Sequence, residues 1–443
     1  MTIYCFFISL FALCFGALYI GGVWNPGKKL VGLNYVVVND DKGCYTSLCE
    51  KIGLNNTRNV GNYYARLDGT GGRFTVVKGT RNDAIEYVKK FKYWAAFYIP
   101  EKFTVDVISN LNVVNKHGHV DVKVEVILDE ARSYNTISLV RKALRRLQNS
   151  FHIALVRSFQ QLGSFNPPFL INGISYTETS LHTVEKYGQN FASFVTLMLV
   201  WISTISASII THFYFAFEIH WLEKKEVHHP YIKIISSKIL TNCLMVLFTT
   251  FIIILIQCIC GNLTMEKGYI YYYLFVFYYA LCGIAVNCSL IHVLPFIAYY
   301  LVAVIFMMLQ ITTCGGIFDH SVQFGFWKIG RALPMYYATR QLKNIFWGVG
   351  EHTKLANVLI ILAWIVVSTI VTIYLYILEL KTKRENWLRR EYRKLLNYKN
   401  ESTSFYNRND DMTPLKSREV PMESMEDFDF TEKEYNRRTS ITQ

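Results

Sequence analysis

The sequence predicts a multi-pass α-helical membrane protein of about six transmembrane helices, with an α/β extracytoplasmic domain inserted between the first and the second. Three observations predict it. Phe191–His212, Ile234–Cys260, Ile270–Cys288, Leu294–Ile317 and Leu355–Leu380 are apolar segments crowded into one block. Each meets the length of about 20 residues that a helix needs to cross a hydrocarbon core of about 30 Å. A further apolar segment, Thr2–Val23, stands apart at the N-terminus. The polar stretch between it and the block carries mixed strand and helix signals. Composition agrees, because 52% hydrophobic against 18% charged residues in a 443-residue chain is too apolar for an ordinary soluble protein.

The first segment, residues 1–24, has no charge before its apolar run. A cleaved signal peptide would begin with a basic region and carry a shorter core, so this is read as a retained anchor. Tyr19 and Trp24 are placed to sit at headgroup level.

Residues 25–189 form the predicted extracytoplasmic domain. Gly32–Val38 is a β-rich run closed by the turn residues Asn39, Asp40, Asp41, Lys42 and Gly43. Arg73–Val77 is a second strand. Thr80 and Asp83 have capping-box spacing, opening a helix through Phe91 with Ala84, Ile85 and Val88 inward. Tyr93–Ile99 is a nearly continuous apolar run stopped by Pro100, as a buried strand would be. Val120, Val122, Val124 and Val126 alternate with Asp121, Lys123 and Glu125, the period of a half-buried strand. From Ile137 to Leu162 apolar residues recur every three or four positions, predicting a long amphipathic helix that covers the sheet.

Residues 190–380 are the five-span block, and 381–443 a basic, then disordered, tail. Lys381, Lys383, Arg384, Arg389, Arg390, Arg393 and Lys394 follow the last span, and Lys224, Lys225, Lys233 and Lys238 follow the second. Basic flanks face the cytoplasm, which puts the 25–189 domain outside the cell, the C-terminus inside, and the plasma membrane as the expected location. The loop 318–354 also carries Lys328, Arg331, Arg340, Lys343 and Lys354, which runs against placing it outside. The net charge of +13 is explained by these flanks touching anionic lipid; no aromatic–basic pattern points to nucleic acid. The bilayer is the partner that composition implies.

Eight of the ten cysteines lie in or beside apolar segments, where they pack as small hydrophobes. Cys44 and Cys49 lie in the polar domain and are the candidate disulfide, which requires a turn between them. Asn55 and Asn262 begin sequons on the predicted outer side, whereas the Asn400 sequon falls in the inner tail. The tail from Asn400 is polar and poor in aliphatics, as disordered segments are. Near its end Arg437, Arg438, Thr439 and Ser440 resemble a basophilic kinase site, with Ser440 the acceptor; its phosphorylation would weaken attraction to anionic lipid.

No phosphate-binding Gly-rich loop, no H-E-x-x-H, no G-x-S-x-G and no paired C-x-x-C occurs. Neither an enzyme nor a cofactor is therefore expected. Ionisable residues are nearly absent from the spans, which disfavours coupled proton transport. His212 and His292 fall at span ends and are read as interfacial. Gln257, Asn287 and Gln310 are mid-span polar residues, read as glue between helices.

Phe15–Tyr19 (FGALY), Leu33–Gly43 (LNYVVVNDDKG) and Ala95–Pro100 with Phe103, in that order, resemble the YhgE/Pip-type membrane proteins and, more closely, the fungal nitrosoguanidine-resistance proteins. Both resemble ABC-2-type permeases. Ala332–Gly348 (ALPMYYATRQLKNIFWG) is similar to an aromatic, amphipathic stretch that the fungal proteins carry before the last span. The resemblance implies an N-terminal span, an α/β outer domain, a five-span permease-like bundle, and a role in drug or nitrosoguanidine resistance without a nucleotide-binding domain in the same chain. A separate ATPase subunit and a homodimer are partners expected by analogy. Asn39, Asp40 and Asp41 are read as shaping a turn rather than binding a ligand. Ala332–Gly348 is expected at the outer face of the bundle, with a lipid- or helix-facing side of Leu342, Ile345 and Phe346. Pro334, Tyr336, Arg340 and Phe346 are the candidate gate. Two functions compete: export or transbilayer movement of amphipathic drugs or lipids, and a non-transporting receptor or organiser that binds a partner through its outer domain.

Overall fold

The computed structural model describes residues 2–23, 25–45, 59–62, 72–110, 120–159, 166–214, 229–261, 263 and 265–409. Cys49, Asn55, Asn262 and Ser440 lie outside these, so nothing structural attaches to them. The chain divides into two units, Met1–Leu380 and Lys381–Gln443.

The first unit opens with α1, Thr2–Val23, a helix of 22 residues. The sheet domain follows. Its strands are β1 (Asn34–Asn39), β2 (Arg73–Lys78), β3 (Ala95–Ile99), β4 (Lys123–Leu128) and β5 (Ser175–Ser180). They run in the order β2-β1-β3-β4-β5. β1 pairs parallel with β2 and β3, β3 pairs antiparallel with β4, and β4 pairs parallel with β5. Helices α2 (Arg81–Lys89), α3 (Phe103–Ser109), α4 (Tyr134–Phe159) and α5 (Pro167–Asn172) connect them.

The strand and helix expectations hold, with shifted ends. The capping box opens α2, where the Asp83 carboxylate accepts from the Thr80 N–H at 2.8 Å and its hydroxyl at 2.9 Å. The stripe Ile137, Val140, Leu144, Leu147, Phe151 and Leu155 of α4 is buried against Tyr35, Val37, Phe97, Val124 and Val126, as a sheet-covering helix requires. The alternating valine run is displaced: β4 starts at Lys123 and continues to Leu128. Both of its faces are covered, because Ile127 packs with Ala84 and Val88 of α2 on the side away from α4. β5 has no counterpart in the expectations. Its sequence, Ser-Tyr-Thr-Glu-Thr-Ser, lacks an apolar period, and it lies on the edge of the sheet, largely exposed.

Among the described residues, five helices are long and apolar enough to cross a membrane. They are α6 (Gln189–Tyr214), α7 (Pro230–Gly261), α8 (Tyr269–Val293), α9 (Phe296–Thr313) and, after the short α10 (Pro334–Trp347), α11 (Lys354–Asn409). They correspond one for one to the five predicted spans. This is an integral membrane protein. α11 departs from expectation at its far end: the helix runs through Asn409, past Asn400, where disorder was expected to begin. Leucine, lysine, arginine and glutamate, all good helix formers, dominate 381–396, and proline first appears at Pro414.

α1 packs along α9 and the 3₁₀ turns at Gly325–Ala332. The Trp327 indole N–H donates to the Leu18 carbonyl at 3.2 Å. Its ring lies so close to Gly21 that a Cβ there would come within 2.5 Å of it. The Gly21–Gly22 pair is therefore the notch in α1 that admits the tryptophan.

Candidate functional site

Two regions concentrate polar side chains, one at each end of the bundle. The first is where the sheet domain meets it. The chain between α9 and α10 reaches up into the domain: Val322 is buried in the same core as Tyr35, Phe97 and Ile137. Two side chains at the start of α4 hold this connection, Asn135 donating to the Ile317 carbonyl at 3.0 Å and the Thr136 hydroxyl accepting from the Asp319 N–H at 3.1 Å. The connection between α9 and α10 thus enters the core of the sheet domain at Val322, while the bundle keeps a core of its own.

α10 lies across this junction. Pro334 occupies its first turn, where a missing N–H costs nothing, and Gly348 ends it in the left-handed conformation at φ 71°. Leu342, Ile345 and Phe346 are buried in the bundle core, Phe346 edge-on to Tyr272 at 5.1 Å. The side expected to face lipid or helix faces helix. The other side of α10 meets the sheet domain, and there the Lys343 ammonium donates to the carbonyls of Arg132 (2.8 Å) and Gly315 (3.4 Å). Burial pulls Lys343 below the usual lysine range, with Asp319 opposing.

Arg132 is the counterpart on the domain. Its guanidinium lies over the Trp94 ring at 3.7 Å and the Phe91 ring at 4.7 Å, and donates to the Tyr93 carbonyl at 2.9 Å. Burial pulls it down to about 10, against the pull of Asp319 and Asp129. Burial alone would raise Asp319, yet the Arg132 charge and the Ser321 N–H and hydroxyl hold its carboxyl below the ordinary value. Phe91 takes part by adopting φ 61° at the end of α2, a conformation that costs a side-chain-bearing residue roughly 1–2 kcal/mol. His352 packs edge-on against it at 5.3 Å.

Of the candidate gate residues, Tyr336 and Arg340 come together, Arg340 donating to the Tyr336 hydroxyl at 3.3 Å. Tyr336 stacks on the buried His320 at 4.6 Å. Pro334 and Phe346 are buried at the two ends of α10, and Phe346 belongs to the bundle core. Cys44 is buried and disulfide-bonded; its candidate partner Cys49 is outside the described residues. The Asn39–Asp41 turn is structural: the Asp41 carboxylate accepts from the N–H groups of Gly43 (3.0 Å), Thr104 (3.2 Å) and Gly61 (3.3 Å).

The second region is the end of the bundle away from the sheet domain. α6 leaves the domain at Gln189 and reaches this end with Thr211 and His212, and α8 reaches it with Ile291 and His292. A cavity of about 260 Å³ opens between α6, α7, α8 and α11. Its walls are largely apolar, with Ile235, Ile284 and Ile373 among them, and Thr211, Asn242, His212 and His292 supply polar groups. The Thr211 hydroxyl donates to Asn242 Oδ1 at 2.7 Å. His292 Nδ1 is hydrogen-bonded to Glu379 of α11, and its ring packs on Tyr376 at 4.6 Å. Ile239 and Cys243 line both this cavity and a surface depression on α7 that includes Lys233, Ser236 and Ser237. Reading the histidines as merely interfacial missed this site. Each residue stands at a span end, but only the fold brings the three ends together.

Between the two regions the core is filled. Trp201, Tyr272, Tyr279 and Tyr299 are fully buried. Gln257 does join helices, accepting from the hydroxyls of Thr196 (2.8 Å) and Tyr272 (2.6 Å), and Asn287 donates to the Thr204 hydroxyl at 3.1 Å. Gln310 is not such glue, since neither end of its buried amide finds a partner among the described residues.

A family model described as "Protein of unknown function (DUF3533)" matches residues 4–370. The chain belongs to the DUF3533 family. No curated protein and no solved structure matches it. The DUF3533 match takes in α1, the sheet domain, α10 and both cavity histidines, and Glu379 lies beyond its end.

Proposed function

We propose that this DUF3533 protein is a permease-like membrane protein that exports amphipathic drugs or lipids, or moves them between leaflets, and so contributes to drug or nitrosoguanidine resistance. The observation that carries the reading is the cavity between α6, α7, α8 and α11: apolar walls with a polar pole match a molecule with an apolar body and a polar head. Its mouth is lateral. Ile239 and Cys243 connect it with the surface of α7, and α7 and α11 are the spans least covered by protein, with 17% and 11% of their apolar windows buried. A lipid-borne substrate would enter from the bilayer. In this reading α1 is a sixth span, the sheet domain faces outward from the plasma membrane, and the basic end of α11 lies in the cytoplasm, where a separate ATPase subunit would dock. α10, wedged between the outer domain and the bundle, is the gate; a homodimer would complete the path.

The test is a retention assay in cells that lack or overexpress the protein, loaded with a fluorescent amphipathic drug and a labelled lipid. Retention is expected to fall on overexpression and to return to the level of the deletion when Cys243→Trp blocks the mouth. Unchanged retention at verified surface expression would refute transport. The packing of Trp201, Tyr279 and Tyr299 favours the second reading, a non-transporting receptor or organiser, because among the described residues these buried rings fill the core between the cavity and the sheet domain. That outcome would direct attention to the sheet domain as the partner-binding element.

A further inference from the structure

His212, His292 and Glu379 come from three helices, α6, α8 and α11; the two histidines line the polar pole of the cavity, and Glu379 is hydrogen-bonded to His292 there. One ligand atom from each lies within 4.8 Å of the others, the one such group of three among the described residues. Three other described histidines have simpler partners. His320 and His152 meet backbone carbonyls, and His182 meets a single carboxylate. At the cavity, by contrast, two imidazoles and a carboxylate converge on one point, with the rings of His212 and His292 5.5 Å apart.

We propose that His212, His292 and Glu379 bind a divalent transition-metal ion, Zn²⁺ foremost. Two histidines and one carboxylate are a donor set that suits zinc or ferrous iron, and three protein ligands leave a position for an exogenous one. With metal–ligand distances of about 2.0–2.2 Å, tetrahedral donors stand about 3.4 Å apart. No separation exceeds 4.8 Å, so the widest has at most about 1.4 Å to close. His292 and Glu379, already hydrogen-bonded to each other, part slightly to admit the ion; both are side-chain adjustments. The surroundings favour closure. Tyr376 packs against the His292 ring at a tilt of 30° and limits its rotation, and Ile235, Ile284 and Ile291 keep the approach apolar. The cavity's lysine, Lys238, which would repel a cation, has its ammonium over the Tyr376 ring at 4.7 Å. The ion would tie the far ends of α6, α8 and α11 together, and its open position would face the cavity. Metal binding here neither requires transport nor follows from it.

The experiment uses the full-length protein without an affinity tag, stripped with a chelator in detergent and re-equilibrated with Zn²⁺ or Co²⁺. Elemental analysis is expected to find about one equivalent per chain, and Co²⁺ to give the visible absorption of a low-coordinate nitrogen–oxygen site. Glu379→Gln and His292→Asn should each weaken binding more than roughly 100-fold, beyond the 10–100-fold typical of losing an outer-sphere partner. His212→Asn, on a different helix, should do the same and stands in if either of the others aggregates. Wild-type protein that holds less than a tenth of an equivalent would overturn the proposal without reference to any variant. So would variants that keep the wild-type stoichiometry and cobalt spectrum, since the ion would then sit elsewhere.

Discussion

Replacing Arg132 by alanine tests whether the buried charges at the junction hold the sheet domain to the bundle. The substitution removes a guanidinium stacked on Trp94 at 3.7 Å and hydrogen-bonded to the Tyr93 carbonyl at 2.9 Å. A desolvated cation–π contact contributes about 2 kcal/mol, and a hydrogen bond from a charged donor about 1.5–3 kcal/mol. Asp319 also loses the positive charge that holds its carboxyl ionised. Against this stands the burial of the guanidinium itself, which is no longer incurred. Removing one member of a buried charge set costs about 3–5 kcal/mol on balance, and we expect a loss of that size. For a unit this large it corresponds to a fall of about 4–6 °C in apparent Tm, read by tryptophan fluorescence in one detergent for all variants. Arg132→Lys should not rescue, because an ammonium cannot lie flat on Trp94 and reach the Tyr93 carbonyl together. Adding Asp319→Asn to Arg132→Ala should recover roughly 1 kcal/mol, since the stranded charge goes too. An Arg132→Ala protein within 2 °C of wild type, or a lysine variant as stable as wild type, would refute the reasoning.

Two further predictions concern the sheet domain. At Phe91, where φ is 61°, glycine relieves backbone strain that alanine keeps, and both lose the ring; Phe91→Gly should therefore be more stable than Phe91→Ala by about 1 kcal/mol, and the opposite order in thermal unfolding would show that the strain is absent. His182 is the pH-sensitive group: burial lowers its pKa, but the hydrogen bond and charge of the buried Asp129 at 3.0 Å outweigh that and raise it. A raised folded-state pKa means the contribution is fully present below the unfolded value of about 6.5 and is lost as pH rises through the higher folded value. Stability should thus fall with rising pH across that window, and the decline should flatten in His182→Gln; identical pH profiles for the two proteins would count against the pairing.

Much of the fold was legible because it rests on local periodicity. The five spans, the α4 stripe and the run before Pro100 are each dictated by where apolar residues recur, and burial follows those positions in the α4 stripe and the strand before Pro100. β5 was illegible for the same reason. An exposed edge strand needs no apolar alternation, and Ser-Tyr-Thr-Glu-Thr-Ser gains its place by pairing with β4. The end of α11 departs in the other direction: residues 400–409, read as disordered for want of a core, continue the helix, and the good helix formers that carry it out of the span lie before them, in 381–396.

The candidate site was illegible for a different reason, which is distance along the chain. His292 and Glu379 are 87 residues apart and Lys343 and Arg132 are 211 apart, so no window of sequence contains either constellation. Taken singly, a histidine at a span end is an interfacial residue and a lysine on an amphipathic helix is a solvated one. What changes both readings is the packing of the bundle. α6 and α8 run from one region to the other: Tyr272, near the start of α8, packs on Phe346 of α10, and α8 ends at the cavity with His292. A shift of α10 against α8 would act on the same rigid element that carries one of the three candidate ligands. Coupling of this kind needs two arrangements that both ends can bias. Metal binding offers a way to bias one end alone: if α10 is a gate, loading the cavity with Zn²⁺ should change the reactivity of a cysteine placed at Tyr336 toward a water-soluble thiol reagent. Equal labelling rates with and without the ion, in protein that demonstrably binds it, would mean that the two ends of the bundle act separately.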